Sequence, residues 1–111
     1  MKTIIAGGRD YTLTEIDVLM LESLVYDLPI TEVVHGGCRG IDTEAGTWAK
    51  KEGLEVKVYP ADWDTHGRAA GPIRNEQMAQ YADACILFKG GRGTSNMKKN
   101  AEKHGLNVIE L

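Results

Sequence analysis

The chain has five arginines, Arg9, Arg39, Arg68, Arg74 and Arg92, and each lies in or beside a cluster of glycines. The clusters are Gly7-Gly8, Gly36-Gly37 with Gly40, Gly67 with Gly71, and Gly90-Gly91 with Gly93, and they hold ten of the thirteen glycines. A guanidinium is a rigid bidentate fork that suits phosphate and carboxylate. Glycine lets backbone N–H groups approach an anion closely. The lysines fall elsewhere, with Lys50, Lys51, Lys98, Lys99 and Lys103 on amphipathic stretches, where they read as solubilising cations. Arginine beside glycine predicts anion binding.

Each cluster has its own chemistry. Gly36-Gly37-Cys38-Arg39-Gly40 is neither a Walker A loop nor a Gly-x-Gly-x-x-Gly fingerprint. As a strand-to-helix turn it offers free N–H groups to an anion. Gly90-Gly91-Arg92-Gly93-Thr94 is a second loop of this kind, with Thr94 as helix cap and hydroxyl donor. The connection from Pro60 to Pro72 is long for an α/β domain and carries Asp62, Trp63, Asp64, His66 and Arg68, which reads as a lid or binding loop. Trp63 is placed either to stack on a base or to pack on the body. Arg74 falls in the first turn of the next helix, with Asn75 and Glu76 beside it. Asp42 either favours its helix start or holds a ribose hydroxyl. Cys38, His35 and His66 lack metal-ligand spacing, so no metal or cofactor is expected; Cys38 reads as a small turn residue and Cys85 as core.

These residues need elements to hold them. Short apolar runs predict strands at Thr3–Ala6, Glu32–His35, Glu55–Tyr59, Ala84–Phe88 and Asn107–Glu110. Helices are expected near Leu13–Tyr26, Asp42–Glu52, Pro72–Tyr81 and Ser95–His104. Thr12 to Glu15 reads as a capping box stapled by Tyr11 and Ile16, and Ile16, Leu19, Met20, Ser23 and Leu24 as the inward face of the first helix. Pro72 suits a first helical position, and Gly53 and Gly105 read as helix-ending glycines. The alternation predicts an α/β, three-layer Rossmann-like fold: a parallel sheet of about five strands with helices on both faces. Ligands of such sheets bind beyond the carboxyl ends of the strands, so all four clusters and all five arginines are expected at one edge. The simplest ligand is a phosphorylated small molecule.

The 111 residues fit one domain. No apolar run is long enough to span a membrane, and the apolar start is too short for an export signal. Two cysteines make no disulfide framework, so a cytoplasmic location is expected. The net charge of -3 argues against generic nucleic-acid binding, which needs many phosphates neutralised.

Five motifs, in order, resemble one family. They are Ile4-Ile5-Ala6-Gly7-Gly8-Arg9-Asp10, His35-Gly36-Gly37-Cys38-Arg39-Gly40-Ile41-Asp42, Ala61-Asp62-Trp63, Gly71-Pro72-Ile73-Arg74-Asn75-Glu76-Gln77-Met78 and Gly90-Gly91-Arg92-Gly93-Thr94. Together they resemble the YspA/cpYpsA-related branch of the SLOG superfamily, common in bacteria and phages. The resemblance implies a Rossmann-like fold, a nucleotide-derived ligand and a homodimer. It also extends to LOG-type enzymes, which cleave the N-glycosidic bond of nucleoside 5′-monophosphates. Arg74 stands eight residues before Ala82-Asp83-Ala84, as the LOG-type arginine does, and Gly90, Gly91, Gly93 and Thr94 match the LOG loop. Lys89 replaces its proline, and Met97 stands where its catalytic glutamate would be. A thioether can neither take a proton nor stabilise an oxocarbenium-like centre.

The expected function is therefore binding, by sensing or sequestering, of a nucleotide-derived phosphorylated ligand. The ligand set is Gly7, Gly8, Arg9, Gly36, Gly37, Arg39, Gly40, Asp42, Trp63, Arg68, Arg74, Asn75, Gly90, Gly91, Arg92, Gly93 and Thr94. One alternative is an N-glycoside hydrolase using Arg74 with a relocated acid, Glu76 or Asp62, or else Asp10 or Asp64. Another is single-stranded nucleic-acid binding. Arg74→Ala and Gly91→Asp are each expected to abolish binding and leave the fold intact.

Overall fold

The computed structural model describes residues 1–111. Five parallel strands, β1 (Lys2–Ala6), β2 (Glu32–His35), β3 (Glu55–Val58), β4 (Ala84–Leu87) and β5 (Asn107–Glu110), form one sheet in the order β3-β2-β1-β4-β5. The helices are α1 (Glu15–Asp27), α2 (Ile41–Lys51), the short α3 (Trp63–His66), α4 (Ala70–Tyr81) and α5 (Arg92–Lys103). This is the expected three-layer Rossmann-like α/β architecture.

Alternating side chains divide the core. Ile5, Val33 and Ile86 point to the face covered by α1 and α2, where they meet Leu21, Ile41, Ala45 and Trp48. Their neighbours Ile4, Val34, Cys85 and Leu87 point to the other face, against Met78 and Ala79 of α4 and Met97 and Ala101 of α5. A strand buried on both faces must be apolar at successive positions, which is why β1, β2 and β4 read as continuous runs. The register sets Ile4 opposite both Val34 and Cys85, so the central strand is β1.

The direction in which successive strands are added reverses between β1 and β4. β2 and β3 extend to one side of β1, while β4 and β5 extend to the other. The loops after β1 and β4 diverge at this point and leave a crevice, the usual ligand position in such sheets. A backbone bond of 2.8 Å from Gly8 N–H to the Lys89 carbonyl ties the two loops together.

Helix boundaries differ from the sequence expectation in instructive ways. The capping box of α1 lies two residues later than expected: the Thr14 side chain accepts from Asp17 N–H at 3.1 Å, and the Asp17 carboxylate accepts from Thr14 N–H at 3.0 Å. Leu21 lies in the core, with Val18, Leu24, Val25 and Leu28 packed beside it. Ile16 and Leu19 are instead 69% and 63% exposed, so the expected staple and inward face are corrected. Helix α4 starts at Ala70, and Pro72 is its third residue, where a missing N–H still leaves no intrahelical bond unmade. Helix α5 starts at Arg92 behind Gly91, so Thr94 lies inside the first turn instead of capping it. The connection from Pro60 to Pro72 is no bare loop, since it holds α3 and a 3-10 turn at Gly67–Ala69. Gly53 and Gly105, with φ of 75° and 72°, end α2 and α5 as expected. The following Leu54 and Leu106 N–H groups reach back to Ala49 and Ala101 carbonyls. No helix is long and apolar enough to cross a membrane.

Candidate ligand cleft at the switch point

A cleft of about 330 Å³ opens between the β1 and β4 loops. Ala6, Gly7, Gly8 and Arg9 form one wall, and Gly91, Arg92, Gly93 and Thr94 at the start of α5 form the other. Met78 and Met97 form its apolar floor, both almost fully buried. Asp42, Cys38, Arg74 and Asn75 close the side next to β2.

Arg74 is held by the protein itself. Only 9% exposed, its Nη1 donates to the Gly36 carbonyl at 2.6 Å and to the Tyr59 carbonyl at 3.4 Å. Its Nε donates to Asn75 Oδ1 at 3.0 Å. Asn75 in turn donates from Nδ2 to the Gly93 carbonyl and to Asn96 Oδ1, linking α4 to α5. Arg74 thus ties the ends of β2 and β3 to α4 while one edge of its guanidinium faces the cleft. The expectation that its removal leaves the fold intact does not survive these bonds.

Asp42 is the acid of this lining. Its Oδ2 accepts from Gly36 N–H at 3.1 Å. Burial pushes its carboxyl up, against the pull of Arg74, the Cys38 and Gly36 N–H groups and Arg9. His35 lies just beneath, buried, with Nδ1 accepting from Gly37 N–H at 3.0 Å. Burial holds this imidazole below its ordinary value, and Lys50 and Arg74 push the same way. Gly46 makes room for the ring, since a Cβ there would stand 2.8 Å from Nε2.

The glycines of the site fall into two groups. At Gly36 a Cβ would overlap the Arg74 guanidinium, at Gly40 the carbonyl of Arg9, and at Gly90 the Thr94 hydroxyl. At Gly7 it would come within 2.8 Å of Ile41. Packing alone requires glycine at these four. At Gly91 and Gly93 a Cβ would meet nothing within 4 Å, and neither residue has a positive φ. Both line the cleft, and internal packing gives no reason for a missing side chain at either.

The cleft widens outward into a basin of about 780 Å³ that shares Arg9, Arg74, Asn75 and Gly91 to Gly93 with it. Here Trp63 and Arg68 approach from the β3–α4 connection, Gly71 from the first turn of α4, and Ser95, Asn96 and Lys99 from α5. Trp63 is 50% exposed, and its indole edge lies over Gly71. Four of the five arginines therefore gather at this one opening.

Several expected site residues lie elsewhere. Arg39 and Gly40 line a shallow depression behind Arg9, where Arg39 pairs with Asp10 at 3.1 Å, both side chains largely exposed. Gly37 and Gly36 lie in the turn beneath and line neither opening. Asp62 caps α3 by accepting from Thr65 N–H at 3.1 Å, and the Thr65 hydroxyl, followed by that N–H, holds its carboxyl below the usual range. Glu76 accepts from His104 at 2.8 Å and Lys103 at 3.3 Å, on the far side of α4, and the His104 bond holds its carboxyl low. Neither relocated acid reaches the cleft.

Sequence reasoning missed Lys99, Ser95 and Asn96, treating Lys99 as a solubilising cation. The signal was present: these residues stand three, four and seven positions after Arg92 and so share one helix face. Cys38 also lines the cleft, with Sγ 3.9 Å from Arg74 Nη2.

The fold and cleft define a Rossmann-like α/β protein with a cationic opening at its topological switch point. The chain belongs to the YspA, cpYpsA-related SLOG family, whose model matches residues 1–66. It is 44% identical over 87 residues to the Gene 61 protein of Mycobacterium phage D29, covering 71% of this chain and 70% of that protein. In fold it is similar to DNA processing protein A of Streptococcus pneumoniae, with a TM-score of 0.75 at 18% identity. That likeness covers 98% of this chain, which spans about half (49%) of the larger protein.

Proposed function

We infer that the protein binds a nucleotide-derived phosphorylated small molecule in the switch-point cleft. The observation that carries this reading is the pair Gly91 and Gly93, which leave space inside a cationic cleft where the chain's own packing asks for none. Space next to Arg9, Arg92 and the free N–H groups of the α5 start suits a phosphate. Family membership supports a nucleotide-related ligand. Binding without turnover is favoured over N-glycoside hydrolysis. Met97 occupies the floor, and Asp42, the acid of the lining, is engaged with the Gly36 N–H.

A thermal-shift comparison tests the reading. Nucleoside mono-, di- and triphosphates are expected to raise the melting temperature, because a ligand at a hundred times its Kd adds about 2.7 kcal/mol. The matching free nucleosides should not. A shift of equal size from nucleosides would remove the phosphate from the account.

A further inference from the structure

We propose that the ligand carries at least two phosphate groups on one nucleoside, spread across the cleft and the outer basin, with its base lying on Trp63. The proposal rests on the preceding reading that the cleft takes a phosphorylated nucleotide.

Charge is the first argument. Five of the thirteen Lys and Arg side chains line the basin, and none of the sixteen Asp and Glu side chains does. The whole chain is acidic, with a net charge of -3, so this segregation runs against its composition. Arg74 is engaged with backbone carbonyls. Arg9, Arg68, Arg92 and Lys99 belong to none of the four ion pairs of the molecule and donate none of its side-chain hydrogen bonds. Like charges gathered in one depression repel, and an anion relieves that repulsion. A terminal phosphate carries about -1.5 to -2 near neutral pH and an internal one adds about one further charge, so four free cations match a nucleoside diphosphate better than a monophosphate.

Size and shape are the second argument. The inner cleft, about 330 Å³, is at the small end of ligand pockets, while the basin, about 780 Å³, is well within their range. Arg68 and Lys99 approach the basin from different elements, the β3–α4 connection and the third turn of α5. They extend the row of cations outward from Arg9 and Arg92. Trp63, half-exposed on the same rim, gives an aromatic face on which a base can stack.

Calorimetric titration of the full chain with AMP, ADP, ATP and a short single-stranded oligothymidylate tests this. ADP is expected to bind at least about tenfold more tightly than AMP, the effect of one further charge-assisted contact, with ATP no weaker than ADP. Arg68→Ala and Lys99→Ala, both at exposed positions that leave the core untouched, should each narrow the ADP-over-AMP ratio. Trp63→Ala should weaken all three nucleotides while leaving that ratio in place. Equal affinity for AMP, ADP and ATP, or an unchanged ratio in both cation variants, overturns the two-phosphate proposal and leaves the phosphate reading standing. Absence of binding by every nucleotide overturns both. Tighter and more salt-sensitive binding of the oligothymidylate than of ATP overturns the proposal in favour of a nucleic-acid strand.

Discussion

Single residues separate binding from folding in this molecule. Gly90 and Gly91 are adjacent, yet a side chain at the first collides with Thr94 and a side chain at the second meets open space. Gly90→Ala is expected to cost about 1–3 kcal/mol, the usual price of overpacking, measured by urea denaturation. Gly91→Asp should melt at about the same temperature, because a side chain there meets nothing within 4 Å. Its carboxylate would nonetheless repel a phosphate. Arg74→Met should lower stability as well as binding, by about 1–3 kcal/mol for each buried carbonyl left unsatisfied. His35 makes a pH prediction. Its folded pKa is depressed by burial, so the unfolded chain binds the proton more readily below about 6.5. The contribution of His35 is thus full above that value and is lost as pH falls through it. In His35→Gln the slope of unfolding free energy between neutral and mildly acidic pH should flatten, whatever the variant's absolute stability.

At the scale of elements, the sequence was readable where a pattern was redundant. The three central strands carry apolar side chains for two faces, and no other element explains such short unbroken runs; they lie where the pattern placed them. Helix starts were less legible, because several residues near each start can cap. Thr12 and Thr14 both precede an acid three residues later, and contacts from outside the pattern favour Thr14: the Tyr11 hydroxyl donates to Asp17 at 2.8 Å and the Leu13 N–H to Glu44 at 3.1 Å. Thr14→Ala is therefore expected to lower stability by about 1 kcal/mol in urea denaturation, while Thr12→Ala leaves it unchanged within a few tenths. The cleft residues divided in the same way. Gly7 to Arg9 and Gly91 to Thr94 were legible because they follow adjacent central strands. Arg39 follows a strand at the same edge, but its side chain turns outward to Asp10, which no one-dimensional pattern reveals. Lys99 was hidden by the opposite error, since a helix-surface lysine acquires meaning only when another element faces it.

Across the whole molecule, charge is sorted by place. The acidic residues sit away from the basin, and four cations that join no ion pair, Arg9, Arg68, Arg92 and Lys99, line it at the edge where the topology opens a crevice. Such a field draws a small anion to one place on an otherwise negative surface. Calorimetric titration of ADP into the native chain and into Gly91→Asp decides whether the cleft holds a nucleotide's phosphates. Saturable one-site binding to the native chain is expected, weakened at least about tenfold in a variant that melts no lower. Equal affinity in the two proteins, or no binding by the native chain, would contradict it.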